Sequence, residues 1–388
     1  MRDFISRRAR DIPPSGIRKF FDLIQDLDGA ISLGVGEPDF PTPWKICESG
    51  IYAIEHGQTS YTSNKGIPVL RGLIARYLQS RFALKYDAEE EIIVTTGVSE
   101  GVDIALRAVT DPGDEVLVAE PCYVAYGPGV TLAGGTPVPV QCRAKDDFRL
   151  TPDTLLEHIT PKTKALVINY PNNPTGGVMG RDDLGAIADI VSDHDLLLIS
   201  DEVYAELTYE GEHTAAATVK DLWERTITLN GFSKAYSMTG WRVGYLCAPR
   251  DLCAAALKIH QYVMLCAPVM GQLAAVEALR SGEEEKDAMV TEYRLRRNLF
   301  VEGLNRIGLP CHLPRGAFYA FPDMTATGLS DDEFAERLLK EQKVAVVPGS
   351  VFGSAGEGHL RCSYAVSRQD LLTSLKRMEE FISTLSRL

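Results

Sequence analysis

Between residues 91 and 247 the sequence alternates short apolar runs with amphipathic stretches, and this alternation limits the possible folds more than any other feature. Strands separated by helices are typical of a mostly parallel sheet that is covered by helices on both faces. Strand-like runs are expected at Glu91–Thr95, Glu115–Ala119, Thr136–Val140, Ala165–Asn169, Leu196–Ser200, Thr226–Leu229 and Val243–Cys247. Helices are expected near 98–109, 123–132, 152–159 and 181–194. We therefore predict an α/β fold in which a mostly parallel, seven-stranded sheet is sandwiched by helices.

The rest of the chain adds helices and a second, smaller α/β unit. Before the sheet we predict helices at 15–28, 44–56 and 68–82, and a strand at Ala30–Leu33. After residue 250 we predict helices at 251–281 and 283–306. The smaller unit has predicted strands at 317–321, 344–347 and 359–364 and helices at 331–341 and 368–386. A chain of 388 residues is long enough for about two domains of ~150 residues each.

Charge and composition argue against several classes of partner. The 40 Lys and Arg residues against 53 Asp and Glu residues give a net charge of −13, which disfavours nucleic acid or an anionic membrane. The eight cysteines form no C-x-x-C pair and no H-E-x-x-H occurs, so we expect reduced thiols and no metal site. The uncharged stretch 121–142 has too many Gly and Pro residues for a membrane helix, and no signal peptide is expected. We predict a soluble, cytoplasmic protein.

A lysine just beyond the sixth predicted strand is the first candidate for catalysis. Lys234 follows the strand Thr226–Leu229, a hydroxyl precedes it at Ser233, and a guanidinium follows at Arg242 between two glycines. Lysine forms a Schiff base with a carbonyl compound, whereas Ser and Arg hold phosphate oxygens by hydrogen bonds. Pyridoxal 5′-phosphate (PLP) is both a carbonyl compound and a phosphate ester. The residues therefore fit a PLP site, although a surface lysine in a glycine-rich turn would have the same local sequence.

The segment Thr96–Gly101 follows a strand and begins a helix, and two functions fit it. Backbone N–H groups in the first turn of a helix bind anions, and Gly97 allows the close approach that a phosphate needs. The same residues match G-x-S-x-G, the nucleophile elbow of α/β-hydrolases, with Ser99 as the nucleophile and His359 as a candidate base. The serine hydrolase is a distant alternative, because it leaves Lys234 without a function.

Three further polar residues lie after strands or within an apolar strand. Asp201 follows the strand Leu196–Ser200, and a buried carboxylate there needs a cationic partner such as a protonated pyridine nitrogen. Asn173, in a rigid loop after Ala165–Asn169, can donate a hydrogen bond to a phenolate-like oxygen. Arg361 lies in an apolar strand and needs an anionic partner, either a substrate carboxylate or a structural Asp or Glu. Taken singly, the first two residues also fit a helix cap and a proline-rich turn.

Together these motifs resemble the class I aminotransferases, a family of PLP-dependent enzymes of fold type I, and most of all their aspartate- and aromatic-aminotransferase-like subgroup. The resemblance covers nearly the whole chain. It rests on Gly-Glu-Pro-Asp-Phe at 36–40, Tyr61 with Gly66 and Leu70-Arg71, Asn172-Asn173-Pro174-Thr175-Gly176, Asp201 with Tyr204, Ser233-Lys234 with Arg242, and Arg361. It implies a large PLP-binding domain at 46–285 and a small C-terminal domain at 286–388, with residues 1–45 packed against the small domain.

The resemblance also implies roles around the cofactor ring. Lys234 would form the Schiff base with PLP and then carry the proton between the substrate Cα and the cofactor. Asp201 would pair with the pyridine nitrogen. Tyr204 and Asn173 would bond the ring 3-oxygen, and Tyr123 would stack on the ring.

A second set of implied roles concerns the phosphate and the substrate. The phosphate would be held by Ser233, Arg242, the backbone amides of Val98 and Ser99, and Tyr61. Tyr61 would come from the other subunit, so that the enzyme would be a homodimer. Arg361 would hold the substrate α-carboxylate in a pocket lined by Gly36 and Asn173.

The implied activity is transfer of an amino group from an L-amino acid to a 2-oxo acid, with 2-oxoglutarate as the expected acceptor, by a ping-pong mechanism through aldimine and ketimine forms. A PLP-dependent β-lyase or decarboxylase on the same scaffold is the alternative. Ser99 stands where some aspartate-specific relatives carry a Lys that contacts the distal carboxylate, which weakens a strict dicarboxylate specificity. Arg18 or Lys19 could recognise a second acid group. Aspartate, aromatic, alanine and acyl-diaminopimelate donors therefore stay open.

Overall fold

The computed structural model of the protein describes residues 3–14, 16 and 29–385. Its strands are β1 (Ile31–Ser32), β2 (Ile92–Thr95), β3 (Glu115–Glu120), β4 (Thr136–Gln141), β5 (Thr163–Asn169), β6 (Leu197–Asp201), β7 (Thr226–Gly231), β8 (Gly244–Cys247), β9 (Tyr319–Ala320), β10 (Val344–Ala345), β11 (Val347–Pro348) and β12 (Leu360–Ser363). Its α-helices are α1 (Arg7–Asp11), α2 (Trp44–Glu55), α3 (Pro68–Phe82), α4 (Gly97–Val109), α5 (Tyr126–Ala133), α6 (Pro152–Leu156), α7 (Arg181–Asp193), α8 (Phe232–Ala235), α9 (Arg250–Val263), α10 (Val269–Ser281), α11 (Glu283–Arg306), α12 (Asp331–Gln342) and α13 (Arg368–Leu385). The predicted helix at 15–28 lies outside the described residues, apart from residue 16.

The large sheet has the strand order β2-β8-β7-β6-β5-β3-β4. β8 runs antiparallel to both of its neighbours, whereas the other neighbouring strands are parallel. The predicted mostly parallel, seven-stranded sheet is thereby confirmed. Because β5, β6 and β7 are parallel neighbours, their carboxyl ends lie at one edge of the sheet, where open α/β sheets bind ligands. Asn169 is in register with Asp201, and Asp201 with Leu229, so the polar residues that follow these strands are close in space.

Helices cover both faces of this sheet, which explains why its inner strands are continuous apolar runs. On one face, Ile199 and Ile227 pack in one core with Ile104 of α4. On the other face, Leu198 packs in a separate core with Leu184 of α7. Burial on both faces fixes the register of the inner strands and therefore the positions of the residues at their ends.

The C-terminal part of the chain forms a second unit that includes the strand β1. β1 pairs in parallel with β10, and β11, β12 and β9 form a small antiparallel sheet. Leu33 lies in one hydrophobic core with Phe300, Phe334 and Leu360. The backbone N–H of Ser363 donates to the carbonyl of Leu33 at 2.6 Å. Residues 31–33 therefore pack with the C-terminal unit, while the loop that follows them runs towards the large sheet.

Several element boundaries differ from the sequence prediction. The single helix predicted at 251–281 is two helices, α9 and α10, because Leu265 has a left-handed backbone (φ +70°) and Pro268 cannot lie in a helix interior. The helix predicted from residue 123 begins at Tyr126. The strand predicted at 344–347 is divided between β10 and β11, which belong to different sheets. Within the described ranges, no helix is long and apolar enough to cross a membrane.

Candidate active site

Lys234 lies on α8, the single helical turn that follows β7, and its side chain points back to the carboxyl edge of the sheet. Its Nζ donates a hydrogen bond to the carbonyl oxygen of Gly36 at 2.7 Å. The same nitrogen lies 5.8 Å from the ring centre of Tyr204 and 5.7 Å from that of Phe318. The amine is therefore half-buried between the loop that follows β1, the sheet and the C-terminal unit.

These surroundings change the acidity of the amine. Burial is the main cause that lowers the pKa of Lys234 to about 8. The positive charges of Arg361 and Arg242 lower the pKa further. The carboxylates of Glu37 and Asp201 act in the opposite direction. A larger fraction of neutral amine at physiological pH follows, and the neutral amine is the form that attacks a carbonyl group.

Asp201 ends β6 and is only 4% exposed. Its carboxylate accepts hydrogen bonds from the Tyr126 hydroxyl at 2.7 Å and from the backbone N–H of Val203 at 3.1 Å. Burial raises the pKa of Asp201 to about 6, because no charged partner offsets the loss of water fully. A cation at this carboxylate would relieve that cost, and the protonated nitrogen of a pyridine ring is such a cation. Sequence reasoning missed Tyr126 as a partner of Asp201.

A pair of tyrosines lies beside the lysine. The hydroxyl groups of Tyr204 and Tyr319 are 2.8 Å apart, and both side chains are buried. A Cβ atom added to Gly36 would lie 2.5 Å from the Tyr319 hydroxyl, so Gly36 leaves the space in which this hydroxyl lies. Sequence reasoning missed Tyr319, since nothing in its apolar segment Ala317–Phe321 distinguishes it from a core residue.

Arg361 is the most unusual side chain of the site, because it is a buried guanidinium that has no anionic partner in the described part of the chain. Its Nη1 donates to the Oδ1 of Asn173 at 3.0 Å, and its Nη2 donates to the carbonyl of Gly34 at 2.5 Å. Its carbon Cζ lies 4.7 Å from the ring centre of Tyr319 and 4.8 Å from that of Phe352. Its Nε is buried without a hydrogen-bond partner among the described residues. No described Asp or Glu forms an ion pair with Arg361, so the predicted alternative of a structural carboxylate partner is not found among the described residues. The carboxylate of a ligand fits this position.

The first turn of α4 forms a cradle with Arg242. A Cβ atom on Gly97, which has φ +73°, would collide with the Arg242 guanidinium. A Cβ atom on Gly244 would lie 2.7 Å from the backbone N of Val98. Glycine at both positions therefore allows the Arg242 guanidinium and the backbone N–H groups of the first turn of α4 to lie close together. This arrangement suits a phosphate. In this region Ser233 is buried and Ser99 is exposed.

Two predicted residues complete the description of the site. Tyr123 is half-buried, and its ring packs edge-on against that of Tyr126 at 5.8 Å. Tyr123 therefore lies next to the hydrogen bond between Tyr126 and Asp201. Tyr61 is 84% exposed, and no described hydrogen bond or ring contact joins it to the other predicted site residues. The candidate residues Arg18 and Lys19 lie outside the described part of the chain.

The hydrolase alternative lacks its catalytic pair. The ring of His359 stacks on Phe321 at 5.0 Å, and its Nδ1 is 3.1 Å from the carbonyl oxygen of Glu357. No described hydrogen bond joins His359 to Ser99. By contrast, each part of PLP has a matching group in this site. The amine of Lys234 suits the carbonyl, the buried carboxylate of Asp201 suits the ring nitrogen, and the glycine-lined cradle beside Arg242 suits the phosphate. The residues of this site therefore fit that cofactor.

Comparison with known proteins establishes the family. Residues 28–378 match the family described as aminotransferase class I and II. The chain is 52% identical over 382 residues to the putative aminotransferase YugH of Bacillus subtilis, across 98% of this chain and 99% of that protein. It is 44% identical to aromatic-amino-acid aminotransferase 2 of Thermococcus litoralis, across 97% and 98% of the two chains. The solved structure of aspartate aminotransferase from Thermus thermophilus with maleate matches it with a TM-score of 0.92 at 39% identity, across 98% and 100%. The chain therefore belongs to the class I and II aminotransferases and is an enzyme that uses PLP to transfer amino groups.

Proposed function

We propose that this aminotransferase moves the amino group of an aromatic L-amino acid to 2-oxoglutarate, and that it acts as a homodimer. The observation that carries the donor class is the aromatic lining of the carboxylate site. Arg361 lies between the rings of Tyr319 and Phe352, and further rings, those of Tyr204 and Phe318, lie beside Lys234. A donor held by its α-carboxylate at Arg361 would therefore have aromatic side chains as neighbours.

The residue at position 99 supports the same choice. Ser99 is uncharged and exposed at the first turn of α4. It therefore offers no cation to the distal carboxylate of aspartate, which an aspartate-specific site needs. Among the relatives, the enzymes of Thermococcus litoralis and Thermus thermophilus are named for aromatic and aspartate donors respectively, so homology alone leaves both classes open.

A panel of amino donors with 2-oxoglutarate tests the proposal. We expect the highest kcat/KM for phenylalanine and tyrosine, and lower values for aspartate, alanine and an acyl-diaminopimelate. A higher value for aspartate than for phenylalanine would contradict the donor class. Glutamate should form in proportion to the donor consumed. Pyruvate and ammonia without an acceptor would instead indicate the β-lyase alternative, and carbon dioxide would indicate a decarboxylase.

The proposed mechanism assigns each chemical task to a residue of this chain. PLP, when bound, supplies a ring that withdraws electrons from the substrate α-carbon. Asp201 would keep the ring nitrogen protonated, since a cationic partner offsets the cost of burying its carboxylate. Lys234 would take the proton from the substrate Cα with its neutral Nζ and pass it on to the cofactor, and its lowered pKa favours this task. Arg361 holds the α-carboxylate and so orients the Cα–H bond towards that amine.

The other predicted residues bind the cofactor in this proposal. Tyr204 and Asn173 would donate to the ring 3-oxygen, and Tyr123 would stack on the ring. Asn173 has its Oδ1 occupied by Arg361, while its Nδ2 has no partner in the described structure and is free to donate. The phosphate ligands are Ser233, Arg242, the amides of Val98 and Ser99, and Tyr61 of the other subunit. Each hydrogen bond to a charged group contributes about 1.5–3 kcal/mol, which retains the cofactor when its bond to Lys234 is broken.

A second copy of the chain covers the surface around Tyr61 in this proposal. Tyr262 is 93% exposed and the neighbouring residues 263–265 are also partly exposed, although all of them are apolar. The side chain of Asn64 donates to the carbonyl of Leu265 at 2.8 Å, so this apolar segment and the Tyr61 loop form one continuous surface. An exposed apolar surface of this kind is typical of an interface between subunits.

The oligomeric state tests this surface directly. We expect a mass of twice the 42.6 kDa of one chain in solution. Tyr262→Asp should give monomers that bind PLP weakly. Leu372→Asp, at an exposed position on α13, is the matched control and should leave the dimer intact. A wild-type monomer that binds PLP and is active would contradict the proposal.

The domain division is part of the same proposal. We assign 46–285 to the PLP-binding domain and 286–388 to the small domain, with residues 1–45 belonging to the latter. The contacts of Leu33 with the C-terminal core support that assignment. The cytoplasmic location stays a prediction from the sequence.

A further inference from the structure

A buried histidine–glutamate pair lies behind the active site and has no task in the mechanism above. His260 of α9 has no exposed surface, and its Nδ1 is 2.5 Å from the Oε1 of Glu100. The other carboxylate oxygen of Glu100 accepts the backbone N–H of Thr96 at 2.5 Å. The Nε2 of His260 is 2.9 Å from the carbonyl oxygen of Asn64. The pair therefore bridges the beginning of α4 and the loop 61–66.

The partners determine where the protons lie. A carbonyl oxygen can only accept, so the Nε2 of His260 carries a proton and donates it to Asn64. A hydrogen bond between His260 and Glu100 then requires one further proton, carried by either Nδ1 or Oε1. Taken together, the imidazole and the carboxyl group have no net charge, which is the form that burial tolerates. Every polar atom of the pair has a partner, so the bridge is well determined.

The bridge connects two elements that are proposed to bind phosphate. Glu100 follows Ser99 in the first turn of α4, beside the phosphate cradle of the same chain. Asn64 lies three residues after Tyr61 on the opposite side of the pair. Buried Gln272 fixes the same loop, since it bonds the hydroxyl of Thr62 at 3.1 Å and the backbone N–H of Ile67 at 2.8 Å. The inner side of the loop is thus anchored, and Tyr61 is presented outwards.

We infer that His260 and Glu100 are positioning residues that fix the Tyr61 loop on α4, and that losing either one weakens cofactor binding mainly in the partner subunit. The inference rests on the proposed homodimer in which Tyr61 acts across the interface. The loop of each chain would carry Tyr61 to the other chain's phosphate, so a loosened loop would harm that other site. The site in the same chain would keep Arg242, Ser233 and the α4 amides.

Point variants distinguish hydrogen bonding from charge. His260→Leu leaves the carbonyl of Asn64 without its donor and the buried Oε1 of Glu100 without its partner, while Oε2 keeps the backbone N–H of Thr96. Glu100→Leu breaks the bridge from the other side. Glu100→Gln keeps every hydrogen bond, because its amide oxygen can accept from Thr96 while its NH2 group donates to the Nδ1 of His260. We expect the two Leu variants to weaken PLP binding about tenfold and Glu100→Gln to stay within about twofold of wild type.

The matched control probes the outer face of the same loop. Gln261 donates to the side-chain oxygen of Asn64 at 3.3 Å, but it is exposed. Gln261→Ala should therefore leave PLP affinity unchanged. Equal losses in Gln261→Ala and His260→Leu would overturn the role of the buried pair. Thermal unfolding of each variant without PLP verifies that it is folded, and its mass in solution verifies that it is a dimer.

Hybrid dimers test the effect across the interface. Two differently tagged chains are combined so that only one subunit keeps Lys234, and the near-ultraviolet band of the Lys–PLP Schiff base then reports that subunit's site alone. In the first hybrid, His260→Leu and Lys234→Ala are on the same chain. In the second hybrid, His260→Leu is on the chain that keeps Lys234, and Lys234→Ala is on its partner. We expect weakened PLP binding, by about tenfold, in the first hybrid and nearly native binding in the second.

A merely structural role of His260 predicts the opposite pattern, with the loss confined to the subunit that carries the change. That result, or equal losses in both hybrids, would overturn the inference. Tyr61→Phe in the same two hybrids separates this inference from the proposed function. If Tyr61→Phe acts across the interface and His260→Leu does not, the positioning role alone fails. If Tyr61→Phe has no effect across the interface, the proposed shared site fails.

Discussion

Arg361 and Asn173 are 188 residues apart in sequence, and the Nη1 of the arginine donates to the Oδ1 of the asparagine at 3.0 Å. The bond fixes the orientation of both groups. It turns the amide nitrogen of Asn173 away from the guanidinium, and it holds the guanidinium between two aromatic rings. The residue proposed to hold the substrate carboxylate and a residue proposed to bind the cofactor therefore act as one unit.

Asn173→Asp should place an anion where Arg361 now meets a neutral oxygen. The isosteric carboxylate would pair with the guanidinium and compete with the carboxylates of both substrates. We expect the KM of amino donor and 2-oxo acid to rise together by about 10- to 100-fold, because an ionic hydrogen bond is worth about 1.5–3 kcal/mol. Steady-state kinetics with both substrates varied measure this effect.

A similar pair elsewhere in the chain supplies the control for that substitution. Arg297 donates to the side-chain oxygen of Asn298 at 3.0 Å on α11, outside the site. Asn298→Asp should change neither KM. Unchanged KM values in Asn173→Asp would contradict the carboxylate-binding role of Arg361.

The lowered pKa of Lys234 predicts how the PLP-free enzyme captures its cofactor. Only the neutral amine attacks the PLP carbonyl, and the pKa of Lys234 is lowered to about 8, mainly by burial. The rate constant of capture should therefore rise with pH through a midpoint of about 8 and then level off. Stopped-flow absorbance at a series of pH values measures it. A midpoint near 10, the ordinary range of lysine, would show that burial does not activate the amine.

The site could be predicted from the sequence largely because its residues follow strands. Asp201 and Asn173 come after apolar runs whose ends a parallel sheet brings to one edge, so strand assignment alone predicted that they would be close. The identity of their contacts could not be predicted in this way. Tyr126 and Tyr319 are aromatic residues in apolar segments, and only the three-dimensional packing shows that their hydroxyls face Asp201 and Tyr204.

The errors in the predicted elements have a related cause. The stretch 251–281 has helical periodicity throughout, and its break at Leu265 is set by tertiary contacts. The carbonyl of Leu265 accepts from Asn64 of the Tyr61 loop, and Pro268 is the N-cap of the next helix. A periodic pattern reports which face is buried, but it does not report that a loop more than two hundred positions away needs a backbone acceptor. The same limit hid the bridge between His260 and Asn64.

Asp201→Asn should stabilise the PLP-free protein but lower the activity of the enzyme with PLP bound. Burial raises the pKa of Asp201 from 3.8 to about 6. The charged carboxylate therefore destabilises the folded state fully above pH 6, and this destabilisation is absent below pH 3.8. An asparagine removes that cost and can keep both bonds, if Tyr126 accepts from its amide. We expect the free energy of unfolding of the PLP-free protein to rise by about 2–3 kcal/mol at pH 7, with the difference shrinking as the pH falls towards 4.

Urea unfolding without PLP at pH 7 and pH 4.5 measures that difference. With PLP bound, the same variant should lose at least about 100-fold in kcat, because the ring nitrogen has no carboxylate to keep it protonated. A variant that is destabilised without PLP at pH 7 would contradict the effect of burial on this group. A variant of native kcat would contradict the role of Asp201 in the mechanism.

The contact between Gly36 and Tyr319 can be tested with two substitutions, because the second should remove the steric clash that the first creates. A Cβ atom at position 36 would lie 2.5 Å from the Tyr319 hydroxyl but 3.5 Å from its Cζ, which is an ordinary contact. Gly36→Ala should therefore displace Tyr319, disturb the ring that flanks Arg361 and lower kcat/KM by about tenfold or more. Removing the hydroxyl in Tyr319→Phe leaves room for the new methyl group. The double variant should then have the kcat/KM of Tyr319→Phe alone, so that the effects are not additive. Additive losses would show that Gly36 is needed for another reason, such as its carbonyl bond to Lys234.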